Sequence, residues 1–230
     1  MLVHGAWHGG WCWARVAPLL AACGFDVHTP TLTGLGDRSH LVSPAITLST
    51  HVDDVVLAVE RGGMDDVVLV GHSYAGFVVR EAADRLGGRV GAVALIDAWV
   101  GDDGTSVASQ APAWFTESLH RSARTSATAW LCPPPSPELV GVTDPDDARW
   151  LRRNLVAHPL RTFEDRTRLT GRVDRIPHRA AVCSDGIGLP FADMAAAVGC
   201  AAPTEIASGH DAMVVAPEAV ADFIAEAATD

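Results

Sequence analysis

Short runs of apolar residues alternate along the chain with longer stretches in which apolar and polar positions recur at helical spacing. The apolar runs at 67–70, Val90–Ile96 and 180–183 are typical of strands that are buried on both faces of a parallel sheet. A further strand is expected at 204–207. The helical spacing predicts helices at 15–23, 48–61, Ala75–Leu86 and 217–228. Such alternation of strands and helices predicts an α/β fold with a mostly parallel sheet flanked by helices.

The pattern changes between residues 101 and 171, where prolines and tryptophans interrupt it. We predict a core formed by residues 1–100 and 172–230, with 101–171 inserted as a helical cap. The proline-rich run at 133–137 cannot be a central strand or a helix interior, so it is expected to form a stiff turn between cap helices.

Two groups of side chains in this insertion allow more than one interpretation. Trp114, Trp130 and Trp150 either pack inside the cap or line an apolar substrate pocket. The arginines at 149, 152 and 153 belong to a helix predicted at 146–157. We expect them to form a solvated face, with contact to an acidic ligand group as the alternative.

The charge and the cysteine content exclude several classes of function. The net charge is −11, and no segment is rich in basic residues, which argues against nucleic-acid and membrane partners. All 17 basic residues are arginine, so chemistry that needs a lysine is excluded. The five cysteines show no disulfide or zinc-binding spacing, and the first residues lack a signal-like segment. We therefore expect a cytoplasmic protein with no metal and no cofactor.

The segment Gly71-His72-Ser73-Tyr74-Ala75-Gly76 carries the strongest chemical signal. It follows an apolar strand and opens a helix, as a nucleophile elbow does, and this identifies Ser73 as the candidate nucleophile. The usual pattern has glycine where this chain has Ala75, and Gly76 follows one position later. The alternative is a serine that merely caps a helix.

A serine nucleophile needs a base and a site for the negative charge that develops on the substrate. His210 lies after the last predicted strand, where this topology places the catalytic histidine. The alternative is an ordinary surface histidine. For the oxyanion hole, the residue after the nucleophile is expected to supply the Tyr74 amide, and the glycine-rich segment after the first strand that of Ala6. The alternative for this segment is a glycine-rich turn that starts a helix.

Four segments together resemble the α/β-hydrolase superfamily: His4-Gly5-Ala6-Trp7-His8-Gly9-Gly10-Trp11, the block from Leu32 to Ser39, Gly71-His72-Ser73-Tyr74, and Gly209-His210-Asp211-Ala212-Met213. Within the superfamily, the resemblance is to the small-cap branch of plant methyl-ester esterases, hydroxynitrile lyases and bacterial pyrethroid-hydrolase-type esterases. It covers almost the whole chain and is weakest across the cap. It implies ester hydrolysis through an acyl-enzyme without a cofactor.

Two carboxylates compete for the third position of the triad. Asp97 ends the strand before the cap, a position that some members of the superfamily use. Asp185 follows the strand after the cap, where most relatives carry the acid, but the family pattern would place it at Ile187. We favour Asp97 over Asp185, and an absent acid or a partner other than a carboxylate is the third option. Asp211 is poorly placed, since neighbouring side chains on a turn seldom face each other.

We therefore predict a serine esterase that acts on a small to medium apolar ester, including esters with an aromatic part. One alternative is non-hydrolytic acyl transfer or ring closure in small-molecule biosynthesis, and another is a ligand-binding protein on a hydrolase scaffold. A cyanohydrin lyase is disfavoured, because plant lyases of this branch use a lysine that this chain lacks.

Overall fold

The computed structural model describes residues 1–200 and 202–229 and has an α/β architecture. Its main sheet contains β1 (Leu2–Val3), β2 (Val67–His72), β3 (Val90–Ile96), β6 (His178–Asp185) and β7 (Thr204–Gly209). The strands are all parallel and lie in the order β1-β2-β3-β6-β7. The predicted fold class is confirmed, since each strand predicted from an apolar run is present and lies at most two residues short of its observed bounds.

Helices cover both faces of this sheet. On one face lie α2 (Leu48–Gly62) and α3 (Ala75–Leu86), and on the other lie α1 (Val16–Ala22) and α10 (Pro217–Ala227). The core is correspondingly split into two apolar layers by the sheet. Helix α8 (Phe191–Ala197) follows β6, and α9 (Ala212–Val215) follows β7. None of the helices in the described part of the chain combines the length and apolar character needed to cross a membrane.

The segment 101–171 contains short elements of its own. They are α4 (Val107–Gln110), α5 (Ala113–Thr125), β4 (Leu131–Cys132), α6 (Pro145–Asn154), β5 (His158–Pro159) and α7 (Arg161–Glu164). Strands β4 and β5 pair antiparallel, apart from the main sheet. The proline-rich run leads into a 3₁₀ turn at Pro137–Val140, in keeping with the expected turn between helices. We interpret this segment as a cap, because its side chains line the cavity above Ser73.

The parallel register of the strands brings the candidate site residues to one edge of the sheet. His72 is opposite Ile96, and Ile96 is opposite Ala181. The residues that follow these positions therefore leave neighbouring strands at the same edge. Ser73 and Asp97 are the first residues beyond β2 and β3, and His210 is the first beyond β7. This edge, at the carboxyl ends of the strands, is where ligands bind in open α/β sheets.

Candidate active site

Ser73 occupies a sharp turn between β2 and α3. Its backbone has φ 52°, a left-handed conformation that is strained for a residue other than glycine, and its amide donates to Ile96 O at 3.1 Å. Gly76 allows the close approach that this turn requires, since a Cβ there would lie 2.3 Å from Trp99 O. The departure from the usual glycine pattern at Ala75 is thus accommodated, because Gly76 is the glycine that faces the neighbouring backbone.

His210 faces Ser73 from the end of β7. Its Nε2 lies 2.9 Å from Ser73 Oγ, and both side chains are buried. The His210 ring stacks on Phe191, with ring centroids 5.6 Å apart and planes 14° apart. His72 Nε2 lies 2.9 Å from His210 O, which ties the residue before Ser73 to the backbone of His210.

Asp97 occupies the third position of this hydrogen-bond chain. Its Oδ2 lies 2.6 Å from His210 Nδ1, and its Oδ1 accepts from the Cys183 amide at 3.1 Å. The carboxylate is buried, and the backbone at Asp97 is also left-handed, with φ 45°. Asp185 ends β6 with an exposed side chain, and no hydrogen bond or ion pair joins it to His210 in the described structure. The structure thus brings Ser73, His210 and Asp97 together and leaves Asp185 outside.

Residues 4–11, which we call the glycine-rich loop, pass directly over the Ser73 turn. A Cβ at Gly5 would lie 2.8 Å from His72 Nδ1 and 3.0 Å from Ser73 Cβ, so this contact requires glycine. Ala6 and Ser73 line the same cavity, and Tyr74 precedes α3. Within residues 1–200 and 202–229, neither the Ala6 nor the Tyr74 amide donates a hydrogen bond to another protein group. Both amides are thus free to bind a substrate oxygen.

Buried histidines fix the conformation of the glycine-rich loop. His4 Nδ1 donates to Gly5 O at 2.8 Å, and His4 Nε2 accepts from the Leu32 amide at 3.0 Å. Burial lowers the pKa of His4 to about 3, so this ring stays neutral. Trp7 has φ 66° and donates its amide to His158 Nδ1 at 3.3 Å. The Trp7 amide is thereby engaged by the cap, in contrast to that of Ala6.

A cavity of about 280 Å³ opens above Ser73. None of its described lining residues is aspartate, glutamate, lysine or arginine. Ser118 and Ser122 of α5 add hydroxyl groups to a wall that is otherwise apolar. The apolar wall comes from Ala6, Trp7, Trp99, Trp114, Phe115, Leu119, Pro133, Pro134, Pro135, Leu139, Val140, Phe163 and Ile187. A metal-binding cluster is also absent: within the described residues, no three histidine, cysteine, aspartate or glutamate side chains lie close enough together to ligate a metal ion.

The three cap tryptophans do not form a common core. Trp114 is 55% exposed and lines the cavity, while Trp130 is only partly buried. Trp150 packs edge-on against Trp11 at 4.9 Å, and the guanidinium of Arg15 lies over its ring. Of the two interpretations offered by the sequence, pocket lining therefore describes Trp114. That Trp7 and Trp99 line the same cavity was not expected from any sequence pattern.

The cap arginines lie on a solvated helix face, as expected. Arg149 and Arg152 form exposed ion pairs with Asp146 and Glu138, and Arg153 is exposed. None of the three lines the cavity. The helix that carries them ends at Asn154, because Leu155 adopts an extended conformation, three residues earlier than the pattern predicted.

Comparison with known proteins agrees with this geometry. The family model of the alpha/beta hydrolase family matches residues 1–223, and the chain belongs to this family. It is 35% identical to a carbendazim-hydrolysing esterase of Nocardioides sp., an alignment that covers 98% of this chain and 97% of the relative. The resemblance inferred from the sequence motifs is thus confirmed.

Solved structures show the same fold over the whole chain. An extracellular α/β-hydrolase from a Paenibacillus species, described as sharing structural and functional homology with tobacco salicylic acid binding protein 2, has a TM-score of 0.88 and 21% identity. That match covers 100% of this chain and 98% of the other. A pyrethroid hydrolase from Sphingobium faniae has a TM-score of 0.77 and 22% identity and covers 99% and 95%.

Proposed function

We propose that the protein is a carboxylic-ester hydrolase that works through an acyl-enzyme on Ser73. The observation that carries this proposal is the continuous hydrogen-bond chain from Ser73 Oγ through His210 to Asp97, with distances of 2.9 and 2.6 Å, at the floor of an apolar cavity. The esterase that shares 35% of its sequence over nearly the full length of both chains supports the same class of reaction.

The proposed mechanism assigns each of these residues a role. His210 takes the proton of Ser73 as the hydroxyl attacks the ester carbonyl, and it then protonates the leaving alcohol. Asp97 holds the Nδ1–H tautomer of His210 and stabilises the imidazolium that forms. The amides of Ala6 and Tyr74 bind the oxyanion, each contributing about 3–4 kcal/mol to the transition state. Water then attacks the acyl-enzyme by the same route.

The cavity favours uncharged substrates. None of its described lining residues is aspartate, glutamate, lysine or arginine, so a substrate carboxylate or ammonium would lose its hydration without gaining a counter-ion. Trp114 and Leu139 also line it and remain 55% and 65% exposed, so they can cover the outer part of an apolar substrate. We therefore propose neutral esters with an apolar or aromatic acyl or alcohol part. The five unpaired cysteines support action in a reducing compartment such as the cytoplasm.

The test is esterase activity of the wild type, Ser73→Ala and the control Ser184→Ala, which changes an exposed serine outside the cavity. We expect Ser73→Ala to lose activity by a factor of about 10³ or more and Ser184→Ala to match the wild type. The substrate pair is a neutral aryl ester and its analogue with a carboxylate on the acyl part. The neutral ester should be hydrolysed at least about tenfold faster, since a buried unpaired charge costs more than about 1.4 kcal/mol.

A fluorophosphonate separates this proposal from a binding protein on the same scaffold. An esterase is labelled at Ser73, and the Ser73→Ala variant is not labelled. Full activity of Ser73→Ala, or no labelling of the wild type, would contradict the proposal. Wild-type labelling at Ser73 combined with acyl transfer to an alcohol in preference to water would instead indicate the non-hydrolytic alternative.

A further inference from the structure

A second buried histidine–carboxylate pair lies beside Ser73, His210 and Asp97. His8 Nε2 lies 3.0 Å from Asp211 Oδ2, and the two residues are 3% and 0% exposed. The other ring nitrogen, His8 Nδ1, lies 2.7 Å from Ala6 O. The pair thus connects the residue that offers an amide to the oxyanion with the residue that directly follows His210. The proton transfers of the proposed mechanism do not use it.

The hydrogen-bond partners of His8 indicate its charge. The Ala6 carbonyl can only accept, so Nδ1 carries a proton, and an ionised Asp211 accepts from Nε2. Burial opposes the imidazolium, but the Asp211 carboxylate and the two hydrogen bonds raise the pKa of His8 above its ordinary value. Burial also opposes the charged form of Asp211 and would raise its pKa, but the charge of His8 lowers that pKa. Removal of either partner therefore leaves a buried charge without its counter-ion.

The backbone around His210 has other anchors. His72 Nε2 lies 2.9 Å from His210 O, and the Asp211 amide donates to Val140 O at 3.0 Å. These two contacts hold the base, but neither reaches Ala6. His4 and His158 hold Gly5 and Trp7, the neighbours of Ala6. His8 adds the side-chain contact to Ala6 itself and links Ala6 to the residue after His210, and its ring is also stacked on Trp11 with centroids 5.4 Å apart.

We propose that His8 is a positioning residue for the oxyanion hole, which holds the Ala6 amide in register with His210 through its hydrogen bonds to Ala6 O and Asp211. This inference rests on the proposed esterase function. An oxyanion donor acts on charge that develops only in the transition state, so its displacement lowers kcat and leaves ground-state binding of the ester almost unchanged. Acylation and deacylation both form an oxyanion, so the loss appears whichever step limits the rate.

Two isosteric variants separate the contacts of His8. The amide nitrogen of Gln reaches the position of Nε2, so His8→Gln keeps the Asp211 contact and loses that to Ala6. The amide nitrogen of Asn matches Nδ1, so His8→Asn keeps the Ala6 contact and loses that to Asp211. We expect kcat per titrated active site to fall about 10- to 100-fold in both, with KM within about twofold of the wild type.

The matched control is His28→Gln, because His28 forms an exposed pair with Asp26 at 3.2 Å and does not line the cavity. It should keep the wild-type kcat. A second readout uses a trifluoromethyl ketone, whose adduct with Ser73 carries an oxyanion, and the corresponding secondary alcohol, which forms none. Affinity for the ketone should fall by the same factor as kcat, and affinity for the alcohol should not change.

Folded His8 variants with wild-type kcat, or with equal losses for the ketone and the alcohol, would overturn the inference. If both fail to fold, Asp211→Asn, which keeps the side-chain volume, takes their place and should show the same split between kcat and KM. If all three variants fail to fold, the pair of His8 and Asp211 is required for folding and not for positioning, and this result would also overturn the inference. Failure of the proposed esterase mechanism on Ser73 would give a different result, namely full activity of Ser73→Ala.

Discussion

The tautomer of the His210 ring depends on the charge of one carboxylate. Asp97 Oδ2 accepts from His210 Nδ1 at 2.6 Å, which leaves Nε2 free to accept the Ser73 proton. An asparagine amide in place of this carboxylate would instead favour the opposite tautomer, with Nε2 protonated. Asp97 Oδ1 accepts from the Cys183 amide, and the side-chain oxygen of an asparagine can still do so, which leaves the local fold intact.

We therefore expect Asp97→Asn to lower kcat/KM by about 10³- to 10⁴-fold, with the unfolding midpoint close to that of the wild type. The matched variant Asp185→Asn changes an exposed carboxylate and should stay within about twofold of the wild type. Steady-state kinetics on the same neutral ester, measured side by side, check both. A larger loss in Asp185→Asn would transfer the role of the acid to Asp185.

The sequence predicted those residues whose position in the chain is linked to the end of a strand. Ser73, Asp97 and His210 each follow a strand, so topology alone brings them to one edge. Topology could not decide between Asp97 and Asp185, because both lie at strand ends and only the hydrogen bond to His210 distinguishes them. The contact between His8 and Asp211 joins residues 203 positions apart and leaves no local pattern, so no sequence signal predicts it.

At the scale of elements, α3 connects the turn at Ser73 to both ends of the cap. Three charged residues of this helix are buried, although an amphipathic helix would be expected to expose them. Arg80 Nη1 donates to Gly101 O at 2.7 Å, and Glu81 Oε2 accepts from Thr167 Oγ1 at 2.9 Å. These partners lie at the start of the cap segment (Gly101) and near its end (Thr167). The partner of Arg80 is a backbone carbonyl, which explains why the sequence did not indicate the arrangement.

Asp84 has the largest number of these contacts. It accepts hydrogen bonds of 2.7–3.0 Å from the amides of Thr170, Arg172 and Val173 and from the Thr170 hydroxyl. Burial would raise the pKa of Asp84, but these bonds lower it. We expect Asp84→Ala to reduce the free energy of unfolding by about 3 kcal/mol, because it leaves the buried Val173 amide and three partly buried donors without an acceptor.

Urea unfolding at neutral pH measures this loss. The control is Asp222→Ala, which removes an exposed carboxylate from α10 and should change the free energy of unfolding by less than about 0.5 kcal/mol. If Asp84→Ala cost less than about 1 kcal/mol, α3 would not be the anchor of the cap segment that its contacts indicate.

At the scale of the whole molecule, four fully buried histidines make the fold sensitive to acid. Burial lowers the pKa of His4 and His72 to about 3 and that of His51 to about 4, and it places the pKa of His158 well below its usual range. Their hydrogen bonds suit the neutral ring: His51 Nε2 donates to Thr33 O at 3.0 Å, and its Nδ1 lies 2.9 Å from the Tyr74 hydroxyl. Protonation of any of the four rings would place a cation in the core.

The unfolded chain binds protons at these four histidines near pH 6.5, whereas the folded chain binds them only at much lower pH. Stability is therefore complete above about pH 7 and falls as the pH decreases, by up to about 5 kcal/mol per pH unit between about pH 6 and pH 4. His8 does not offset this loss, because its raised pKa keeps it protonated in the folded state across this range, and the unfolded state is protonated there too. Since domains are stable by only about 5–15 kcal/mol, we expect unfolding between about pH 5 and pH 4.

Urea unfolding at pH 7, 6 and 5 tests this expectation. His51→Gln should be less stable than the wild type at pH 7, because it loses a buried hydrogen bond. Its dependence on pH should be shallower by about 1.4 kcal/mol per unit, because one titrating group is gone. His28→Gln, at an exposed position, should keep the wild-type dependence. A free energy of unfolding that stays constant from pH 7 to pH 5 would show that the buried rings are already charged in the folded protein.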